Sequence, residues 1–283
     1  MNGSRFIKSW ISAAIVLLFI VAVAFADAPS ASPRVAMTPP LDSRAPRALG
    51  ATTYYTLYLP IVARTTCAPI DGETYGTVAV LSAPTNPPAA AHPDLNLALR
   101  GYALTTGALG LVDYDGHTDS GAPQLYTLFG DNRVPGFSAV YRVYDWDWAN
   151  NRRGALIGDP PVTLAGMIVA PNEIIRVPAS GYDIGLRTTG YEVMVLYAAT
   201  NRITLKYTRE DNVVNGYTIH LENVCVEPNL LALYEAMNAA GRARLPALFA
   251  GQGVGRAITT EIGVAIRDTG AFMDPRSRKD WWK

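Results

Sequence analysis

Along most of the chain, apolar and polar positions alternate with a period of two. In GYTIHLENV (216–224), Tyr217, Ile219 and Leu221 fall on one side, and Thr218, His220 and Glu222 on the other. Successive side chains of a strand point to opposite faces, so this pattern predicts a strand with one apolar and one polar face. Comparable β-prone runs are TVAVL (77–81), LNLALRGY (95–102), LGLVDY (109–114), AVYRVYDW (139–146), EIIRVP (173–178), EVMVLYA (192–198), RITLKY (202–207) and EIGVAIRD (261–268). Clusters of Gly, Asp and Asn, such as 113–123 and 149–154, read as the turns between them. One segment has a helical period instead. After Glu227-Pro228, Leu230, Leu231, Leu233, Tyr234 and Met237 recur at helical spacing. Pro228 suits a first helical position and Gly241 a C-terminal stop. The expected fold class is mainly β, antiparallel sheets or a β-sandwich, with one helix inserted near 228–241.

The N-terminus breaks the alternation. Arg5 and Lys8 precede an apolar run over 10–26 that ends in Ala24-Phe25-Ala26, a small-x-small cleavage site. Residues 1–26 therefore read as a secretory signal peptide, with an uncleaved anchor over 9–25 as the rival. No cysteine follows the site, so nothing marks a lipid-anchored lipoprotein. Residues 27–50 are rich in Pro, Ala and Ser without apolar period, as in an extended or disordered spacer. The rest divides into a β-rich part over 51–172 and a second β part over 173–283, or runs as one continuous domain. After leader removal no membrane span is expected, and the location is secreted or cell-surface.

Composition narrows the function classes. Charged residues make up 17% of the chain and the formal net charge is zero, which argues against a nucleic-acid binder. The two cysteines, Cys67 and Cys225, form a disulfide if the chain reaches an oxidising compartment; the alternative is two buried thiols. Metal sites draw on clustered His, Cys, Asp and Glu, yet no HExxH, HxH or CxxC occurs. His92-Pro-Asp94 and His117-Thr-Asp119 are isolated pairs, and no nucleophile elbow or phosphate loop is present. In VYDWDW, alternation puts Tyr144, Trp146 and Trp148 on one face and Asp145 and Asp147 on the other. Rings and acids so placed suit sugar stacking, or else a core face and a solvated face.

The segments ASGYDIG (179–185), YTIHLENV (217–224), AGQGVGRA (250–257) and EIGVAIRDTGAFMDP (261–275) follow an order that resembles the lysostaphin-type (LytM-like) zinc endopeptidases over about a third of the chain. The fitting positions are Tyr217, His220 (shifted by one place), Gly251-Gln252 with Gly255, Arg267, Gly270 and Asp274-Pro275. By that resemblance the C-terminal part has a lysostaphin-like duplicated hybrid motif, and His220 stands where a catalytic histidine would be. Asp183 matches the zinc aspartate. Ala179, however, replaces the first zinc histidine, and Glu261 and Gly263 occupy the His-x-His positions. Zinc catalysis takes three protein ligands and an open position; the matched positions supply one. His92, in HPDLN, is a substitute ligand if it folds against the same sheet as Asp183, His220 and Glu261.

These features lead to a secreted or cell-surface β protein with a degenerate, non-catalytic peptidase-like domain and no cofactor. It would bind or scaffold at the cell envelope, on peptidoglycan or a surface glycan. The alternatives are an active zinc-dependent cell-wall endopeptidase or other hydrolase with a divergent site, in which His220 and Glu261 are catalytic and Asp183 and His92 bind metal, and a purely structural surface protein.

Overall fold

The computed structural model describes residues 67–185 and 190–283; the expected leader over 1–26 and spacer over 27–50 lie outside the described residues. In chain order the elements are β1 (Gly76–Ala79), α1 (Leu97–Arg100), β2 (Tyr102–Leu104), β3 (Phe137–Asp147), β4 (Arg152–Leu156), β5 (Leu164–Ile168), β6 (Ile174–Arg176), β7 (Val193–Ala199), β8 (Arg202–Lys206), β9 (Tyr217–Glu222), β10 (Val224–Val226), α2 (Pro228–Ala239), β11 (Arg244–Leu248), β12 (Gly253–Ala257), β13 (Glu261–Asp268), β14 (Ala271–Met273) and α3 (Arg278–Trp281). The fold is mainly β. A large antiparallel sheet runs in the order β1-β11-β7-β8-β9-β13-β5-β3-β2, with β14 on β13 and β4 on β3, and a small sheet runs β10-β12-β6. Strands from both halves of the sequence pair within the large sheet, β1 with β11 and β5 with β13, so 67–172 and 173–283 share one framework. None of the described helices is long and apolar enough to cross a membrane.

The periodic segments fold as their patterns dictate, with informative exceptions. LNLALRGY is not one strand: Leu97–Arg100 form a helical turn, and Gly101 at φ +68 reverses the chain into β2. Glycine adopts that left-handed conformation without a Cβ penalty. LGLVDY contributes only an isolated bridge from Val112 to Ser277. Three strands lack an alternating pattern. β4 is largely exposed and charged, and β5 is apolar on both faces. β11 contains Pro246, which cannot donate to a ladder. Its pairing with β7 covers only Ala247 and Leu248, so the missing N–H costs no bond there. The α2 helix forms where the sequence places it. Glu227 caps it, its Oε2 accepting from the Leu230 N–H at 2.8 Å.

On one face of the central strands, Ile203, Leu205, Ile219, Leu221, Ile262, Val264 and Ile266 join the main core. Trp281 and Trp282 fold back into it, their indole N–H groups donating to the carbonyls of Asp274 and Pro275. A smaller cluster of Leu97, Val143, Leu164, Ala265 and Phe272 gathers separately. The Cys67–Cys225 disulfide is formed and ties the start of the described chain to β10.

Candidate functional site

His220 sits on β9 with Thr204 of β8 and Ala265 of β13 as its cross-strand neighbours. The polar side of β9 is not solvated: Thr218, His220 and Glu222 are as buried as the apolar positions between them. Thr204 Oγ1 donates its one hydrogen to the Leu95 carbonyl at 2.7 Å and lies 3.1 Å from His220 Nδ1. With that hydrogen spent, Nδ1 carries the ring proton and donates to the hydroxyl. Nε2 keeps a lone pair and has no partner. The ring stacks on Phe272 with centroids 6.3 Å apart. Burial, reinforced by the charge of Arg267, pushes the imidazole down to about 3, so it is neutral at physiological pH.

Beside this ring is an ionic cluster. Arg100 Nη2 and Arg267 Nη1 donate to the same oxygen, Asp94 Oδ1, at 2.7 and 2.8 Å. Burial alone would raise Asp94, but the charges and hydrogen bonds of Arg267 and Arg100 outweigh it and hold the carboxyl below its usual range. The guanidinium of Arg267 lies over the Phe272 ring at 4.6 Å, and that of Arg100 at 5.8 Å. Arg100 also reaches Asp145 Oδ1 at 3.2 Å, and its Nε is buried without a partner.

The topology opens a cleft here. β13 pairs with β5 only as far as Val264, and from Ile266 onward β14 takes that side. The gap between β14 and the rest of the molecule forms two cavities. One, of about 260 Å³, is lined by Arg100, Asp145, Ile157, Asp159, Arg267 and Phe272 among others. The other, of about 370 Å³, has Tyr114, Asp115, Asp159, Phe272, Lys279 and Trp281 in its walls. Asp159, Ala271 and Phe272 line both, so the cavities adjoin. Two further carboxylates of the larger cavity are neutralised, Asp274 by two bonds from Arg276 and Asp280 by Lys279. Asp115 and Asp159 are exposed.

Farther along β9 and β13 is a second pair of acids. Glu222 lies opposite Gly263 and within 3.2 Å of Arg202 Nε, although that N–H is poorly aligned for a hydrogen bond. Burial raises its carboxyl to about 7 against the opposing pull of Arg202. Glu261 lies over Gly166, where a Cβ would meet its carboxylate at 2.6 Å, and accepts hydrogen bonds from Ser138 and Tyr141.

The structure keeps the candidate metal and catalytic residues apart in role. His92 ends a short helical turn and accepts the Asp94 N–H on Nδ1, and its ring packs edge-on against Trp148. Asp183 lies in an exposed loop, accepting from the Gly185 N–H. Glu261 is bound by two hydroxyls, and His220 is sealed inside the sheet. Among the described residues, no group of three or more His, Cys, Asp or Glu side chains is positioned to hold a metal ion. In the aromatic run, Tyr144 lies near Arg153, and Trp148 follows the end of β3 in an exposed turn. Arg100 and Asp94 were not legible as a unit. Their one signal is an arginine inside an apolar stretch, LNLALRGY, where a buried charge demands a partner. No protein-family model, curated protein or solved structure matches the chain.

Proposed function

We propose that the chain is a secreted or cell-surface β domain that acts by binding at the cell envelope rather than by catalysis, with the cleft beside β14 as the seat for a surface glycan such as peptidoglycan. The observation that carries this is the lining of the cleft. Exposed carboxylates, Asp115 and Asp159, stand beside the partly exposed ring of Tyr114, with buried Phe272 behind them. Carboxylates accept hydroxyl hydrogens, and aromatic faces cover the apolar side of a sugar ring. The closure of His220 supports the non-catalytic part: a neutral imidazole without solvent access cannot exchange protons with a substrate. On the lysostaphin-type resemblance, the chain is a relative whose metal face, at Glu261 and Gly263, now serves the packing of the sheet. The binding needs no cofactor.

Co-sedimentation with purified insoluble cell walls tests the proposal. The wild type pellets with the walls, and an Asp115→Ala/Asp159→Ala variant is retained about tenfold less, as expected for loss of charge-assisted hydrogen bonds. A wild type that stays in the supernatant, with no signal on a surface-glycan array, removes the function.

A further inference from the structure

Charge is unevenly shared in the smaller cavity. Two guanidiniums, Arg100 and Arg267, converge on a single oxygen of Asp94, so two buried positive charges share one partly buried negative charge. The second carboxylate within reach of Arg100 belongs to Asp145, whose side chain is 69% exposed. It is a solvated counter-ion at 3.2 Å, which a ligand group can displace at little cost. Arg100 itself is 3% exposed, lines the cavity, and leaves its Nε–H buried without an acceptor. His220 adds no competing charge, since its ring is neutral behind Phe272.

A bare anion does not fit, because Asp145 and Asp159 line the same space. The ligand must bring an anionic group for Arg100 and hydrogen-bond donors for the two aspartates, next to an apolar surface for Phe272, Ala271 and Ile157. A sugar ring bearing a carboxylate has all three.

Resting on the glycan reading of the cleft, we propose that its preferred ligand is an acidic sugar, whose carboxylate is received by Arg100 while neighbouring hydroxyls donate to Asp145 and Asp159. The preference comes from the smaller cavity; the larger one accepts neutral units of the same chain.

Calorimetry with a hexuronate oligosaccharide, its neutral hexose counterpart and a dipeptide with a free carboxyl tests this. The hexuronate binds about tenfold tighter than the neutral chain, as expected for one charge-assisted hydrogen bond. Added salt weakens only the hexuronate. Asp145→Asn removes a surface charge that competes for Arg100. It weakens the hydroxyl contact in both ligands alike, but only the hexuronate gains from the lost competition, so the preference for the hexuronate over the neutral chain rises about threefold. Arg100→Gln, provided its melting temperature shows a folded protein, abolishes the preference. Equal binding of both oligosaccharides, unaffected by Asp145→Asn, overturns the carboxylate seat and leaves the glycan site standing. Binding of neither oligosaccharide overturns both. Binding of the dipeptide alone also overturns both, making the cleft a peptide site.

Discussion

At the scale of single residues, the decisive question is what stands across the ladder from each polar side chain. Alternation correctly put His220 and Glu222 on one side of β9. It carried no information about Thr204, Phe272 or Arg202, which come from other strands and determine what the two groups do. Because His220 fills space under Phe272, His220→Ala should destabilise the protein by about 2–4 kcal/mol, as large-to-small substitutions in cores do. An unchanged urea midpoint would show that the ring is not a packing element. The acids and bases add a pH dependence. Unfolded His220 binds a proton near its ordinary 6.5 while the folded ring resists it to about 3. Stability from this group is therefore full above 6.5 and falls as pH drops. Glu222 acts in the opposite sense. The folded carboxyl keeps its proton to about 7, the unfolded one releases it near 4.5, and stability falls as pH rises through that window. Between 4.5 and 6.5 the two slopes offset one another. Glu222→Gln removes one of them, so its stability should climb relative to wild type by about 1.4 kcal/mol per pH unit between pH 5 and 7. A difference between the two proteins that is flat with pH would show that Glu222 is not a buried acid.

At the scale of elements, legibility followed periodicity. β9, β13 and α2 carry strong patterns and appear where the sequence places them. β5 has no alternation because both of its faces are covered, and β11 hides behind Pro246. The cleft was illegible for a related reason: it exists because β14 replaces β5 along β13, an exchange of partners that no local pattern records. Glycines give the sharpest test of these contacts. A Cβ on Gly255 of β12 would lie 2.3 Å from the Cys225 carbonyl oxygen and 2.8 Å from Val224, on the paired strand β10. Neither the carbonyl nor the strand can move without breaking the small sheet. Gly255→Ala should therefore cost more than about 2 kcal/mol, in the range of overpacked cores. Gly110 has nothing within 4 Å of its would-be Cβ. Gly110→Ala is the matched control and should change stability by less than about 0.5 kcal/mol. Equal midpoints for the two variants would contradict the packing of β10 on β12.

At the scale of the whole molecule, the disulfide is the one long-range contact readable from the sequence, because two cysteines allow a single pairing. Its consequence lies in the unfolded chain. Cys67 and Cys225 are separated by 158 positions, so the bond closes most of the described chain into a loop. Such a crosslink removes conformations from the unfolded ensemble, and the chain-entropy relation gives roughly 5 kcal/mol for a loop of this length, with losses of about 2–5 kcal/mol typical when a native disulfide is removed. Sheet pairing such as β1 on β11 and β5 on β13 remains in the native state without it, so the reduced protein should still fold. Urea unfolding with and without reductant separates the two effects. Reduction should lower the stability of the wild type by about 2–5 kcal/mol and bring it to that of a Cys67→Ser/Cys225→Ser variant, which itself should not respond to reductant. The slope of free energy against urea should also rise on reduction, because the unfolded chain without its crosslink exposes more surface. A lower midpoint with an unchanged slope would place the effect in the native state, as lost packing of Cys67 against β10. An unchanged midpoint would mean that the fold owes the bond nothing.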